Sequence, residues 1–372
     1  MRFTISKQAL IEAFEMGGQA CSTTTLPITK MAKVKIDKER LMVTSTSLDI
    51  FVSKRIAVDY TGEPMEFCLD VKALLPVLRS FKDATVDVDI EGNQVRLIHQ
   101  KGDMALTVVQ ADGFPKPSVD GEARPVVVDA PFFVDTIKRA VKFADKGKGL
   151  ERPALMGVYC YLRDGYLRIA ASDGVSLYIR RAVYCGDKES FPTAGVIIPA
   201  RAIPALASMI PSEGEVILMD RERNFSVSVD GCSVLVTKVE ARYPNVESVI
   251  PNYGKDNSAS VSVGDFLESV NRCSLMGDSG YAGLSLSFDG GVMDIRSEDE
   301  TRGSRSRESV LTSGGLDGLS VTLSTPRLST ILKEVASESV TIHAVSGDRA
   351  MVFKDDGDDG TTFLLMPMRP MI

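Results

Sequence analysis

The sequence has 372 residues, of which 44% are apolar and 25% charged, and its net charge is −7. This length is too great for one compact core and is typical of two or three domains. No apolar run approaches the roughly 18 residues of a membrane helix, and the N-terminal segment MRFTISKQALIEAF lacks the regions of a signal peptide. We therefore expect a cytoplasmic globular protein without a membrane anchor.

The residues that usually carry catalysis or bind metals are sparse. The six cysteines are scattered, with no CxxC pair, which argues against a zinc site and against a disulfide framework. We expect free, mostly buried thiols. The two histidines, His99 and His343, each lie in a predicted strand, so few groups are available for proton transfer near neutral pH. We expect no metal and no cofactor, and an enzyme is the least favoured class of function.

Three segments start with a strand that runs directly into a helix. They are FTISKQALIEAF from Phe3, VVVDAPFFVDTIKRAV from Val126 and VSVGDFLESVNRC from Val261. A second strand-to-helix pattern, with a small or polar capping residue between the two elements, also occurs three times. Its copies are LDVKALLPVL from Leu69, IPARAIPALA from Ile198 and LSTPRLSTIL from Leu323. The chain is thus predicted to contain six strand–helix–strands units.

A third pattern fixes the period of the repeat. The strand-like runs LMVTSTS, LRIAASD and MDIRSED begin at Leu41, Leu167 and Met293, which are 126 residues apart both times. Linker-like segments rich in Pro, Gly and charge occur at 115–125 and 250–258. We therefore predict three similar domains, at 1–122, 123–252 and 253–372. Asp/Asn/Gly turns between alternating segments indicate antiparallel pairing, so each domain is predicted to be α+β with its helices on one face.

Three polar motifs have simpler explanations than a binding site. KDDGDDGTT, from Lys354, lacks the acidic twelfth position of a calcium loop and is predicted to be a hairpin turn. The charged run at 296–309 is either a contact surface or, as we favour, an exposed loop or edge strand. SDGVSLY, from Ser172, has no base beside its serine and is predicted to be a turn between strands.

Basic residues collect on the predicted helices. Lys138, Lys142 and Lys146 are spaced to share one helix face, and a solvated face is the simplest interpretation of such a pattern. However, the six predicted helices sum to about +2 and the rest of the chain to about −9. A weakly basic face suits a surface that lets DNA pass without gripping it. The residues assigned to this face are Lys72, Arg79, Lys82, Lys138, Arg139, Lys142, Lys146, Lys148 and Arg201.

Several short segments occur in the order and spacing of a known family. They are TLPI at 25–28, LRIAASDGVSL at 167–177, VIIPARAIPAL at 196–206, ARYPNVESVIP at 241–251 and MPMR at 366–369. With three tandem domains, they make the chain resemble the bacterial sliding clamps, the beta subunits of DNA polymerase III. The resemblance implies a head-to-tail homodimeric ring of the DNA-clamp type, with helices inside and sheets outside. It also implies that double-stranded DNA passes through the ring and is bound without sequence preference.

The resemblance further implies that the ring tethers the replicative polymerase for processive synthesis at the nucleoid. Polymerase and clamp loader would bind through short linear peptides in one groove. The groove residues carried over are Leu155, Ser172, Gly174, Val175, Leu177, Pro244, Val249, Leu364, Met366, Pro367, Met368 and Arg369. Methionine suits such a shared site because its side chain adapts to different apolar partners. The alternative function is a clamp-fold scaffold or protein-interaction ring without DNA tethering.

The resemblance also assigns the subunit interface and marks three departures. The edge strands of the first and third domains would meet through Met104, Leu106, Leu275 and Met276. Where the family usually has His-Arg this chain has Val175-Ser176, and Ser248 replaces a basic residue. Pro370-Met371-Ile372 extend the chain beyond the family's usual end. These differences fall in the groove that the resemblance assigns to partners.

Overall fold

The structure, a computed structural model, describes residues 2–20, 26–119, 121–147, 152–186, 191–192, 194–277, 283–299 and 301–368. Clustering of its contacts divides the chain into two compact units. Unit 1 is Met1–Lys138 with Cys185–Glu240, and unit 2 is Arg139–Tyr184 with Ala241–Ile372. Among the described residues, no helix is long and apolar enough to cross a membrane.

Six α-helices lie in the described part of the chain. They are α1 (Lys7–Ala20), α2 (Val71–Ser80), α3 (Ala130–Ala140), α4 (Ile203–Met209), α5 (Val263–Ser274) and α6 (Thr325–Glu334). Twenty-five strands accompany them in the described residues: β1 (Arg2–Ser6), β2 (Met31–Ile36), β3 (Arg40–Thr46), β4 (Ile50–Ala57), β5 (Met65–Asp70), β6 (Thr85–Glu91), β7 (Gln94–His99), β8 (Gly102–Thr107), β9 (Val109–Gln110), β10 (Pro125–Asp129), β11 (Gly157–Arg163), β12 (Tyr166–Ser172), β13 (Ser176–Val183), β14 (Val196–Pro199), β15 (Glu215–Asp220), β16 (Asn224–Val229), β17 (Cys232–Thr237), β18 (Ser258–Ser262), β19 (Gly283–Asp289), β20 (Val292–Asp299), β21 (Ser304–Gly314), β22 (Ser320–Ser324), β23 (Ser339–His343), β24 (Met351–Asp355) and β25 (Thr361–Leu365).

Each helix begins within a few residues of a strand, as the repeat predicts. The strands that precede α1 to α6 are β1, β5, β10, β14, β18 and β22. Local chemistry explains some of these junctions. The Asp70 carboxylate accepts hydrogen bonds from the Lys72 and Ala73 N–H groups at 2.8 and 3.3 Å, which caps α2. Ser262 caps α5 in the same way, since its Oγ accepts the Asp265 N–H at 3.3 Å.

Unit 1 contains two antiparallel sheets. Their strand orders are β1-β6-β7-β8 and β10-β15-β16-β17-β4-β3-β2-β5-β9. Alternate residues of the strands are buried, as in the pattern along β6, and α1 and α2 pack together over these sheets. The core between them includes Phe3, Phe14, Leu74 and Leu78, and burying each such side chain contributes roughly 1.5–3 kcal/mol.

Unit 2 is organised around one long antiparallel succession of strands. Within this unit the order is β11-β12-β13-β25-β24-β23-β18-β21-β20-β19-β22. Helices α5 and α6 pack on each other, and Phe266, Val270, Leu328 and Ile331 are fully buried between helix and sheet. The pairing of β13 with β25 joins strands of the predicted second and third domains, just as β17 with β4 joins the second and first in unit 1.

The three-domain division stays a prediction. Its boundaries lie in segments without helix or strand, at 111–119 with 121–124 and at 250–254. The two compact units instead divide the predicted middle domain between them. This follows from the strand pairings, because the sheets continue across both predicted boundaries.

The predicted common helix face of Lys138, Lys142 and Lys146 is wrong. Helix α3 ends at Ala140, and Val141–Phe143 form a 3-10 turn that is closed by the Ala144 N–H donating to the Val141 carbonyl at 3.3 Å. Ala144 is extended, with ψ 149°, so Lys146 lies beyond any helix. The burial of Phe143 and Ala144 accounts for the change of direction, because both side chains enter the core.

Two further assignments to helices need correction. Lys82 lies beyond α2, because Phe81 is extended and its ring is buried. Arg201 lies in the 3-10 turn Ala200–Ala202 that precedes α4. Lys148 lies outside the described residues.

Two of the three polar motifs connect strands, and the third lies largely within strands. KDDGDDGTT joins β24 to β25, and SDG joins β12 to β13. The charged run at 296–309 forms much of the β20–β21 hairpin, in which Asp299 pairs with Ser304. Cys68, Cys160, Cys232 and Cys273 are free and buried, whereas Cys185 is free and exposed.

Candidate partner-binding groove

The last described residues of the chain are fixed against the turn between β12 and β13. In the β13–β25 register, Leu177 lies opposite Leu364 and Ser176 opposite Leu365. Beyond β25, the Met366 N–H donates to the Val175 carbonyl at 2.9 Å. The Met368 N–H then donates to the Thr322 carbonyl at 2.8 Å. These two backbone bonds hold Met366 and Met368 in a defined place, whereas residues near a chain end usually fray.

The turn itself is held by the Asp173 carboxylate. Its Oδ1 accepts the N–H groups of Val175 and Ser176 at 2.9 and 2.7 Å and the Ser176 hydroxyl at 3.0 Å. Its Oδ2 accepts the Arg327 guanidinium from α6 at 2.8 Å. Burial alone would raise the pKa of Asp173, but these hydrogen bonds and the Arg327 charge outweigh it and lower the pKa below its usual value.

Gly174 has a structural reason to be glycine. Its φ is +86°, a region that L side chains rarely adopt. A Cβ at this position would also collide with the Arg152 guanidinium. That guanidinium donates to the Asp173 carbonyl at 2.6 Å and to the Asp145 carboxylate at 3.0 Å. The turn is therefore packed against Arg152 as well as Arg327.

A stack of three tyrosines supports the other side of the turn. The Ser172 N–H donates to the Tyr243 hydroxyl at 3.0 Å. The Tyr243 and Tyr159 rings are stacked with centroids 4.6 Å apart, and Tyr159 stacks on Tyr161 at the same distance. Burial raises the pKa of Tyr161 to about 12 and raises that of Tyr243 as well, so both remain neutral phenols. Rigid aromatic packing thus positions the neighbouring Pro244.

The residues assigned to the groove differ in exposure. The buried members are Leu155, Leu177 and Leu364. Ser172, Val175, Pro367 and Met368 are half-buried, and the exposed ones are Gly174, Pro244, Val249 and Met366. Arg369 lies outside the described residues. Backbone bonds bring Ser172, Val175, Leu177, Leu364 and Met366 together, and the Met366 side chain there is 39% exposed. Val249 is 55% exposed in the same unit.

A polar cavity of about 590 Å³ adjoins the turn and was not predicted from the sequence. Its charged lining residues are Lys142, Asp145, Lys146, Arg152, Asp173 and Arg327. The Asp-Gly pair in SDGVSLY indicated a turn but not its partners, because Arg152 and Arg327 reach Asp173 only through tertiary packing. No group of three or more His, Cys, Asp or Glu in the described residues could hold a metal ion.

The cations assigned to a DNA-facing surface fall into two groups. Lys72, Lys82, Lys138 and Lys146 are exposed and have no ion-pair partner among the described residues. Arg79 pairs with Glu15 at 2.7 Å, Arg201 with Asp49 at 2.8 Å and Lys142 with Glu334 at 2.5 Å. Arg139 donates to the Glu334 carbonyl at 3.3 Å.

The residues assigned to a subunit interface are mostly exposed apolar side chains. In unit 1, Met104 is 40% exposed on β8, whereas Leu106 packs partly against its own core. In unit 2, Leu275 and Met276 follow the end of α5 and are 75% and 46% exposed.

We expect Asp173→Asn to lower stability near neutral pH by about 1–2 kcal/mol, because it removes a charged acceptor from a buried network. Since the folded-state pKa of Asp173 is depressed, its contribution is complete above the unfolded pKa of about 3.9 and is lost as pH falls through the folded value. Urea unfolding at several pH values should therefore show the gap between wild type and variant closing in acid. Asp317→Asn, at an exposed turn residue, is the control. A gap that stays constant down to about pH 3 would contradict this account of the turn.

Comparisons with known proteins show what the chain is similar to. Residues 1–120 match the family model of the DNA polymerase III beta subunit, N-terminal domain. The Beta sliding clamp of Pseudomonas aeruginosa is 23% identical over 383 aligned residues, which cover 99% of this chain and 100% of that protein. That of Staphylococcus epidermidis is 22% identical and is covered to 99%.

Solved structures agree in fold along the whole chain. The sliding clamp of P. aeruginosa in its complex with griselimycin superposes with a TM-score of 0.92 at 19% identity, with 100% of both chains covered. These findings agree with the six strand–helix units found here. The chain is thus similar to bacterial beta sliding clamps along its full length, has the fold of their solved structures, and matches in residues 1–120 the family model of the DNA polymerase III beta subunit, N-terminal domain.

Proposed function

We propose that this chain is a DNA sliding clamp that closes as a ring around duplex DNA and tethers a replicative polymerase. The observation that carries the proposal is the end-to-end match to beta sliding clamps, with all six strand–helix units in place. Clamps of this family are processivity factors, so the chain is not an enzyme. The comparisons do not favour a scaffold that has lost DNA tethering.

Two unpaired strand edges support head-to-tail assembly. Among the described residues of unit 1, β8 is the last strand of its sheet and pairs with β7 alone. In the described part of unit 2, Ser304–Leu311 of β21 pair on one side, with β20, while the end of β21 pairs with β18. Such edges readily accept another strand, and a contact between two different surfaces closes a ring when the rotation allows. The three proposed domains of each subunit would then give six around the ring.

Apolar side chains lie beside the edge in unit 2. The Ser304 hydroxyl of β21 donates to the Met276 carbonyl at 2.9 Å, which places Leu275 and Met276 next to the unpaired edge. In the proposed dimer, Leu275 and Met276 contact the partner subunit's Met104 and the partner subunit's Leu106, which lie on β8. Burying each of the four side chains contributes roughly 1.5–3 kcal/mol.

We expect Leu275→Asp to yield monomers in sedimentation, because a buried carboxylate without a partner opposes association. Val183→Asp is the matched control, since Val183 is 69% exposed on a strand of the same unit. Both variants should keep the wild-type circular dichroism spectrum. A Leu275→Asp protein that remains as dimeric as the control would show that the interface lies elsewhere.

The exposed cations suit weak contact with DNA phosphates. Phosphate contacts carry no base information, and each added contact increases the salt dependence of binding. Lys72 and Lys138 have no aromatic neighbour in sequence, and the ring of Phe81, next to Lys82, is buried in the core. These lysines therefore lack the exposed, interleaved aromatic rings that stack on bases. We propose that these cations face the duplex in the ring.

With a clamp loader, the wild-type protein should be retained on circular DNA and released when that DNA is linearised. The triple variant Lys72→Glu, Lys82→Glu, Lys138→Glu should load poorly and support shorter synthesis, because carboxylates repel phosphates. Reversing Lys116, Arg223 and Arg349, exposed cations of strand connections, makes the same change in net charge and should leave loading intact. Retention of the wild type on linear DNA would contradict the clamp function, and equal loading of both triple variants would contradict the DNA-facing assignment.

The groove suits a short apolar peptide from a partner protein. Met366 is exposed beside the 172–175 turn, where its backbone is held while its side chain remains adaptable, and Val249 is exposed in the same unit. The partners proposed are the polymerase and the clamp loader, in which such peptides would supply the contact. Because backbone bonds already hold Met366 and Met368, these residues lose less conformational entropy when a peptide binds.

Deleting residues 366–372 should leave a folded dimer that no longer binds a polymerase-derived peptide. Val249→Asp should weaken the same binding at least tenfold, because it places a charge on the apolar surface. Val345→Asp is the control, at a valine that is 42% exposed in the same unit. Fluorescence anisotropy of a labelled peptide measures both effects. Undiminished binding by the truncated protein would place the peptide site elsewhere.

A further inference from the structure

Three further cations that the sequence analysis assigns to the DNA-facing surface already have a carboxylate partner, and we include them in the proposed DNA face. Arg79 pairs with Glu15 at 2.7 Å, Arg201 with Asp49 at 2.8 Å and Lys142 with Glu334 at 2.5 Å. Arg79 and Arg201 bond within unit 1, and Lys142 bonds within unit 2. Each unit therefore neutralises part of its own basic surface.

The carboxylates come from unrelated elements. Glu15 lies on α1, Asp49 in the turn between β3 and β4, and Glu334 is the last residue of α6. In each case the partner is remote in sequence, so helical i,i+4 spacing does not produce these pairs. Pairing of a cation with a carboxylate is the feature that the three sites share.

The paired cations remain accessible to solvent. The side chains of Arg79, Arg201 and Lys142 are 59%, 64% and 51% exposed, so a phosphate can reach each of them. Exposed pairs of this kind are weak and exchange readily. The Glu334 carboxylate differs, because its side chain is only 8% exposed and depends on Lys142 for its counter-charge.

We infer that Glu15, Asp49 and Glu334 set how weakly this clamp holds DNA, by competing with phosphates for Arg79, Arg201 and Lys142. The inference rests on the proposed clamp function. A cation neutralised by its own protein adds no net charge to the surface, and the nearby carboxylate repels the phosphate. Such a pair contributes less to counterion release than a free cation would. The carboxylates act as positioning residues for DNA passage, since they determine which cations are free.

The test removes the three competitors and leaves the cations in place. The triple variant Glu15→Gln, Asp49→Asn, Glu334→Gln is compared with wild type for binding to a labelled duplex from about 50 to about 200 mM salt. The slope of log K against log salt should steepen by about 0.9 for each cation released, and by up to about 2.7 for all three. On loaded circles, the triple variant should also diffuse several-fold more slowly at low salt and regain wild-type mobility at high salt.

A matched control separates this effect from a general change of charge. Asp37→Asn, Glu66→Gln, Asp87→Asn changes the net charge equally and breaks the ion pairs of Asp37 with Arg40, of Glu66 with Lys33 and Lys35, and of Asp87 with Arg2. These four cations all lie outside the proposed DNA face. The inference predicts an unchanged slope for this control. If the buried Glu334 site does not tolerate glutamine, the double variant Glu15→Gln, Asp49→Asn should still steepen the slope by up to about 1.8.

An unchanged slope in the triple or double variant overturns the inference, and so does equal steepening in the control. Neither result touches the clamp function, which depends on retention of the wild-type ring on circular but not linear DNA. A wild-type protein that fails the retention test overturns the clamp function itself. The two failures are therefore distinguishable in one set of preparations.

Discussion

Antiparallel pairing between β13 and β25 is the interaction on which the groove depends. It joins a strand from the middle of the chain to the last described strand, and it places Leu177 opposite Leu364. Because register in a sheet fixes which face each side chain occupies, this pairing also determines where Met366 leaves the sheet. The Met366 N–H then donates to the Val175 carbonyl, so Met366 and the 172–175 turn lie side by side. Closing such a long loop costs entropy, which the buried leucines and the neighbouring strands offset.

The departures from the family's usual residues are accommodated in the same turn. Ser176 stands where the resemblance places an arginine, and its buried hydroxyl donates to Asp173 at 3.0 Å. The positive charges beside Asp173 come instead from Arg327 on α6 and from Arg152, which donates to the Asp173 carbonyl. In this chain the turn is therefore held by Asp173 with Ser176, Arg327 and Arg152.

The sequence predicted the fold well because the relevant signals are local and repeated. The strand-like run LMVTSTS marked β3, and the polar residue Asp70 within LDVKALLPVL marked where α2 begins. The failures have a common cause in tertiary packing. The end of α3 at Ala140 follows from burial of Phe143 and Ala144, which helical periodicity does not reveal, so Lys146 was misplaced. The partners of Asp173 and of Arg79 were also beyond the sequence, because each pair joins residues remote along the chain.

The groove and the basic surface follow opposite physical rules. The groove is ordered in advance, since backbone bonds hold Met366 and Met368 and stacked tyrosines support Pro244, and preorganisation favours lasting contact with a peptide. The basic surface is the reverse, because several of its cations are exposed yet engaged by carboxylates of their own unit. Under the proposed clamp function, contacts to phosphate would be short-lived, and none would be specific to a base. A ring that holds a partner while it moves along DNA needs this division, because tight contact between the basic surface and DNA would oppose the movement.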